Sequence, residues 1–310
     1  MNKNNKLITA IYFLSSILIL QLFVFSTNPE RHDKLYLEEF KESYKVFAIP
    51  HPSSLVFAGE QVPIEDFEVR ERFDRELLVN TYWQSQTMLF FKRANRWFPV
   101  IEPILESRGV PDDFKYLALI ESGFQNVVSP AGATGFWQIL SSTGRELGLE
   151  ISSEVDERYH VEKSTEAACD FLLNAYDRFG SWALAAAAYN MGRTALVRQL
   201  NNQKVDNYYD LMLNEETSRY VFRILAVKHI FSNPQQAGYH FRKIDLYEPL
   251  DYEIITVDST ITDLPQFALD IGINYKLLRE YNPWLRQYSL TNRRNKTYEI
   301  KIPANLQDKS

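Results

Sequence analysis

The chain has 310 residues, of which 45% are hydrophobic, 24% charged and 14% aromatic, with a net charge of −6. That length allows a large domain plus a small one, and the apolar fraction is enough for a real core rather than disorder. The acidic balance argues against nucleic-acid binding, which rests on clustered positive charge. A single cysteine, Cys169, excludes an internal disulfide framework and any four-cysteine metal site.

Leu7 to Phe25 carries no charge across 19 residues. As a helix it spans roughly 28 Å, close to a bilayer core. Lys3 and Lys6 precede it, which predicts a cytoplasmic N-terminus. Residues 1–26 are thus expected to be a signal anchor or a cleaved signal peptide, and both readings send the rest of the chain outside the cytoplasmic membrane. Residues 27–69 hold Pro29, Pro50, Pro52 and Pro63 without a long apolar period and read as a linker.

A helical, mainly α domain is expected over 70–248. Arg70 to Arg96 shows apolar residues at helical spacing, and Pro99 and Pro103 suggest a bend or a new start. Pro111 suits the first turn of the next helix, with Asp112 and Asp113 favourable to its dipole. Tyr116 to Ile120 is apolar on every side and predicts a buried helix. Further helices are expected from Ser164 to Gly180, with Cys169 as a small core residue, and from Ser181 to Gly192 through four alanines. Another is expected from Asn214 to Asn233-Pro234. After residue 248 the pattern changes. Tyr252 to Val257 and Tyr298 to Ile302 read as strands, with two short helical stretches between them.

Glu121 is the candidate catalytic residue. It closes the apolar run Leu117-Ala118-Leu119-Ile120 and shares a helix face with Phe114, Leu117 and Ala118. Desolvation and the helix C-terminal dipole both disfavour its carboxylate, and a carboxyl kept protonated suits a general acid. Ser122 to Gly144 contains no charged residue but has four glycines and Phe136-Trp137-Gln138. Such a loop suits a neutral polar ligand such as a sugar, and Tyr189-Asn190 adds a second aromatic and amide. No cofactor is expected, and no pair of histidines falls at i, i+4 spacing, so no metal site is expected either.

Three segments occur in one order: Glu121-Ser122-Gly123-Phe124, Ser129-Pro130-Ala131-Gly132-Ala133-Thr134-Gly135-Phe136-Trp137-Gln138-Ile139, and Ala188-Tyr189-Asn190-Met191-Gly192. Together they resemble the lytic murein transglycosylases with a soluble-transglycosylase type catalytic domain (glycoside hydrolase family twenty-three). Ser142 to Leu149 and Glu216 to Val221 further resemble the membrane-bound D-type subgroup. The resemblance covers about Phe73 to Ile230. It implies a lysozyme-like helical domain with a saccharide groove. Glu121 matches the family's catalytic acid/base, and Ser129, Gln138, Tyr189 and Asn190 match residues lining the groove. Tyr220 matches a tyrosine facing the catalytic Glu, and Trp137 sits where relatives carry an aromatic or Met.

Most glycosidases need two carboxylates. The uncharged stretch after Glu121 therefore points to a single-Glu mechanism in which the substrate's N-acetyl group assists, cleaving the MurNAc-GlcNAc bond of peptidoglycan glycan strands to a 1,6-anhydro product. The alternatives are a hydrolytic muramidase of the same fold and a non-catalytic peptidoglycan-binding scaffold. Residues 249–310 resemble a LysM module of βααβ order, with Asp258-Ser259-Thr260, Gly272 and Asn282-Pro283 as matching features but without the usual Gly of Gly-Asp-Thr. Arg286, Arg293, Arg294 and Lys296 form a basic loop that such a module could offer to glycan. The expected location is the periplasmic side of the cytoplasmic membrane.

Overall fold

The computed structural model describes residues 34, 35, 38, 48–293 and 295–304. The expected membrane segment 7–25 lies outside them. Among the described residues no helix is long and apolar enough to cross a membrane.

The compact unit from Ile49 onward begins with a hairpin, β1 (Leu55–Phe57) and β2 (Glu60–Val62), paired Leu55 to Val62. This corrects the expected linker, because its last part is built into the core. Phe57 is fully buried, and Leu55, Val62 and Ile64 are buried beside it. The Glu60 carboxylate accepts from the backbone N–H groups of Trp182 (2.5 Å) and Ala183 (3.2 Å) at a helix N-terminus. Free N–H groups and the positive dipole end stabilise it there. Asp113 accepts from the Ala58 N–H at 2.6 Å and from Lys228 at 2.6 Å, so it pins the hairpin rather than serving only a helix dipole.

Helices α1 (Phe67–Tyr82) and α2 (Gln84–Ser107) follow, divided at Trp83. The prolines at 99 and 103 lie inside α2 instead of ending it. Each removes a backbone donor. Full burial of Ile101 and Leu105, and the packing of Phe98 edge-on against Tyr116 and Phe124, hold the helix together. Pro111 opens a turn rather than a helix, and α3 runs Phe114–Ser122. Every residue from Phe114 to Ile120 is buried. Gly123 ends α3 in the left-handed conformation, φ 60°, with its N–H on the Leu119 carbonyl.

A long loop and the short α4 (Ser141–Glu146) lead to a 3-10 turn at Glu157–Tyr159. Then come α5 (Val161–Phe179), α6 (Trp182–Met191), α7 (Arg193–Gln203) and α8 (Glu215–Ser232). Ser181 caps α6 and Asn214 caps α8 through their side-chain oxygens. Ala183 and Ala185 to Ala188 are buried, and their small side chains let α5 and α8 pack closely on α6. Cys169 is buried in α5, where burial pushes its thiol up to about 12. A thiol so poorly ionised is a packing residue, not a nucleophile.

The C-terminal module is β3 (Tyr252–Val257), α9 (Leu264–Asp270), α10 (Tyr275–Tyr281) and β4 (Tyr298–Pro303), with the strands antiparallel and Ile255 opposite Ile300. Asn282 is fully buried and exchanges bonds with Lys301, donating at 2.6 Å and accepting at 2.8 Å. The module is not separate from the helical part. Val155 and Tyr159 lie within its hydrophobic core.

Candidate active site

Glu121 stands in the last turn of α3, where the packed apolar face opens onto a cavity of about 550 Å³. Ile120, Glu121, Ser129, Gln138, Glu216, Tyr220 and Arg223 are among its walls, so the cavity brings four of the expected site residues together. Desolvation raises the Glu121 pKa above the ordinary carboxylate value, and Glu216 adds to the rise. A hydrogen bond from the Tyr220 hydroxyl and the Arg223 charge oppose it without cancelling it. Tyr220, 99 residues away in sequence, donates to Glu121 Oε1 from α8. Burial holds the Tyr220 and Tyr189 phenols well above their usual pKa, and the Glu121 charge acts in the same direction on both. Both remain protonated donors beside the carboxyl group.

The loop after α3 forms the other wall. Ser129 Oγ accepts from the Ala133 N–H at 3.0 Å, closing a small turn. Gln138 adopts φ 48°, and its amide nitrogen donates to the Gly135 carbonyl (2.8 Å) and the Val127 carbonyl (3.1 Å). Ser122 Oγ donates to the Phe136 carbonyl at 2.9 Å, and Tyr189 Oη donates to the Trp137 carbonyl at 2.6 Å. Tyr189 thus carries the loop from behind. Asn190 donates to Glu216 at 3.0 Å and accepts from the Thr217 hydroxyl at 2.7 Å, so it orients the N-terminus of α8.

Trp137 corrects the expectation of a sugar-facing aromatic. It is fully buried, and its indole N–H donates to Thr165 at 2.8 Å. The positive φ of Gln138 turns the amide to the cavity and the preceding indole into the core. Trp137→Phe is therefore expected to cost about 1–3 kcal/mol of stability, through lost volume and the lost indole bond to Thr165, whose hydroxyl keeps its bond to the Val161 carbonyl. Thermal unfolding checks the loss.

Sequence reading missed the acidic and basic residues that α8 supplies to the cavity: Glu215, Glu216, Arg219 and Arg223. Glu216, Tyr220 and Arg223 stand at i, i+4 and i+7, so the helix that presents Tyr220 presents the other two on the same face. The uncharged stretch after Glu121 said nothing about carboxylates arriving from a distant helix. Arg219 is held by the fully buried Glu76 (Nε to Oε1, 2.6 Å) and by Glu215 (3.1 Å). Arg223 has no ion pair among the described residues and acts on Glu121 through space. Removing that charge in Arg223→Gln lets the Glu121 proton persist to higher pH. The alkaline limb of a pH profile of kcat/KM should move upward, and an unmoved limb would exclude the coupling.

Asp156, Glu157 and Arg158 form the ion pairs expected of a structural segment. Arg158 binds both oxygens of Asp156 (2.9 and 2.7 Å) and donates to the carbonyls of Gly132 (3.0 Å) and Ile139 (3.1 Å). Two basic residues of the C-terminal loop are engaged by the helical domain, while Arg293 is exposed. Lys296 pairs with Glu150 at 2.8 Å, and the Arg286 guanidinium lies 4.0 Å from the Tyr159 ring centre. Arg294 lies outside the described residues.

Residues 99–212 match the family model of the transglycosylase SLT domain, and residues 253–306 that of the soluble lytic transglycosylase C-terminal LysM-like domain. The membrane-bound lytic murein transglycosylase D of Escherichia coli (strain K12) is 28% identical over 76% of this chain. The chain spans about half the length of the curated relatives it matches, 52% for that protein. Two solved structures align with 49% of this chain. They are the 70 kDa soluble lytic transglycosylase of Escherichia coli, 20% identical over 27% of that chain with a TM-score of 0.38, and an inactive mutant of the lytic transglycosylase Slt of Pseudomonas aeruginosa, 18% identical over 26% with a TM-score of 0.36. This chain carries both an SLT domain and a LysM-like domain, and it is homologous to the D-type enzyme.

Proposed function

We propose that the protein is a peptidoglycan lytic transglycosylase of the cell envelope, with Glu121 as its acid/base. One observation carries the reading. A half-buried carboxyl group with a raised pKa opens onto a cavity and is held there by Tyr220. The SLT domain and the relative's name supply the substrate class, glycan strands of murein.

Two steps follow from that chemistry. Glu121 gives its proton to the oxygen between N-acetylmuramic acid and N-acetylglucosamine. The muramyl N-acetyl oxygen closes on the anomeric carbon as the C–O bond breaks. Glu121, now a carboxylate, takes the proton from the muramyl C6 hydroxyl. That oxygen then displaces the N-acetyl oxygen, and a 1,6-anhydro ring results. Protons balance, and no water is consumed. Tyr220, Ser129 and the Gln138 amide oxygen face the cavity and would orient the sugar, while Tyr189 and Asn190 hold the surrounding backbone. Residues 7–25 would anchor the enzyme in the cytoplasmic membrane, facing the periplasm.

A second reading has its own support. Glu216 shares the cavity with Glu121, and two carboxylates are what a hydrolytic muramidase requires. Mass spectrometry of the muropeptides released by the purified protein separates the readings. Anhydro ends, one water lighter than reducing ends, support the transglycosylase. Reducing ends support hydrolysis, and intact murein would leave a binding scaffold.

A further inference from the structure

The C-terminal module meets the helical domain at Glu150, at residues 154–160 and at Glu162, and residues 154–159 of that stretch also carry the loop that walls the cavity. On the module side, backbone bonds run from Asp156 N to the Trp284 carbonyl (2.9 Å) and from Arg286 N to the Glu154 carbonyl (2.7 Å). The Glu154 carboxylate accepts from Ser289 Oγ (2.6 Å) and from the Thr291 N–H (2.9 Å) and hydroxyl (3.1 Å). Val155 and Tyr159 are buried in the module's own core, and Leu285, opposite Val155, is fully buried. On the catalytic side, Arg158 holds the Gly132 and Ile139 carbonyls. Gly135 lies so close that a Cβ there would stand 2.0 Å from the Arg158 carbonyl oxygen. Residues 154–159 are thus clamped between the module and the loop bearing Ser129 and Gln138.

We propose that the C-terminal module is a positioning clamp for the catalytic loop: Trp284, Arg286 and the grip on Glu154 set the 154–159 segment, and Arg158 passes that placement to Gly132–Ile139. Of the basic loop, Lys296 pairs with Glu150 and Arg286 stacks on Tyr159. The path is joined by hydrogen-bonded and ionic contacts at both ends, so a shift of the module is felt at the loop. The proposal takes the Glu121 cavity as the reactive site, as in the function proposed above.

The test uses the full chain. Glu154→Ala/Arg286→Ala loosens the docking face, and Asp156→Asn leaves that face intact but weakens the grip on Arg158. Amide hydrogen exchange of residues 127–139 should quicken in both variants while the helical core keeps its protection. On a short soluble glycan fragment, too small to reach a second site, kcat should fall roughly tenfold with KM little changed, the scale that small misplacements of reacting groups reach. Combining the two variants should cost less than the sum, because they act on one path. Unchanged loop exchange in Asp156→Asn would overturn the clamp. So would a docking variant that keeps kcat on the fragment and loses only binding to intact murein, since that outcome describes a glycan tether. If the wild type releases no anhydro product, the function proposed above fails, and the exchange measurement still tests the clamp.

Discussion

Glu121→Gln should lower the rate of glycan cleavage by on the order of 10²–10⁴, the usual contribution of a general acid–base group, while the protein stays folded. Gln is isosteric, can still accept from Tyr220, and cannot give or take the proton. Substrate should bind with nearly unchanged affinity, so the loss appears in kcat. The same substitution should change stability in the opposite sense. Desolvation raises the folded-state pKa of Glu121 above its unfolded value of 4.5. The folded protein therefore holds a proton that the unfolded chain has released. The group's favourable contribution is full below the unfolded pKa and is lost as pH rises through the folded pKa. Glu121→Gln escapes that loss, so the variant should melt above the wild type at neutral and alkaline pH, with the gap closing in acid. Melting curves across pH, measured beside initial rates, check both halves. Unchanged turnover would remove Glu121 from the chemistry, and a variant less stable than the wild type at pH 8 would show that the carboxyl is not paying a desolvation cost.

Gly135→Ala should be the most damaging single methyl in the loop that walls the Glu121 cavity. Its φ is 80°, and an added Cβ would stand 2.0 Å from the Arg158 carbonyl oxygen, 2.9 Å from its carbon and 3.6 Å from the Tyr159 nitrogen. Those are backbone atoms, fixed by the Asp156 ion pair and by the docking of the C-terminal module, and they have little room to retreat. Overpacking and left-handed strain together should cost roughly 2–4 kcal/mol. For a domain of this size that lowers the melting temperature by about 5–15 °C. Gly132→Ala is the control. Its φ is also 80°, but nothing lies within 4 Å of the added Cβ, so only the conformational penalty of about 1–2 kcal/mol applies. Equal losses at the two positions would mean that the Arg158 contact does not constrain the loop. Residual activity should separate them further, because only Gly135→Ala displaces the strand of loop that carries Gln138.

The helix that carries Glu121 was legible because three local signals agree. An apolar run with no polar face predicts burial, the terminal position predicts a dipole that disfavours a carboxylate, and Gly123 supplies the stop. The C-terminal βααβ order was legible for a similar reason, since short alternating strands and turn residues are local properties. The linker boundary was not. Leu55, Phe57 and Val62 are too few to show a period, and their burial depends on Glu60 finding the N-terminus of α6, more than a hundred residues away in sequence. The prolines of α2 misled for a related reason. Propensity is a local cost, and packing around Ile101 and Leu105 outweighs it.

The sequence by itself singled out Glu121 as the candidate acid, the aromatic and amide residues near it, and the helical part followed by a βααβ part, because each is written in contiguous or periodic residues. Only the tertiary structure decided which of those residues face the cavity. It turned Trp137 into the core, because the positive φ of Gln138 sets the Gln138 side chain on the side opposite the preceding indole. It brought Glu216 and Arg223 to Glu121 from α8, because helix packing joins faces that the linear chain keeps apart. It also drew Lys296 and Arg286 of the basic C-terminal loop onto the helical domain, because Glu150 and the Tyr159 ring fold within their reach.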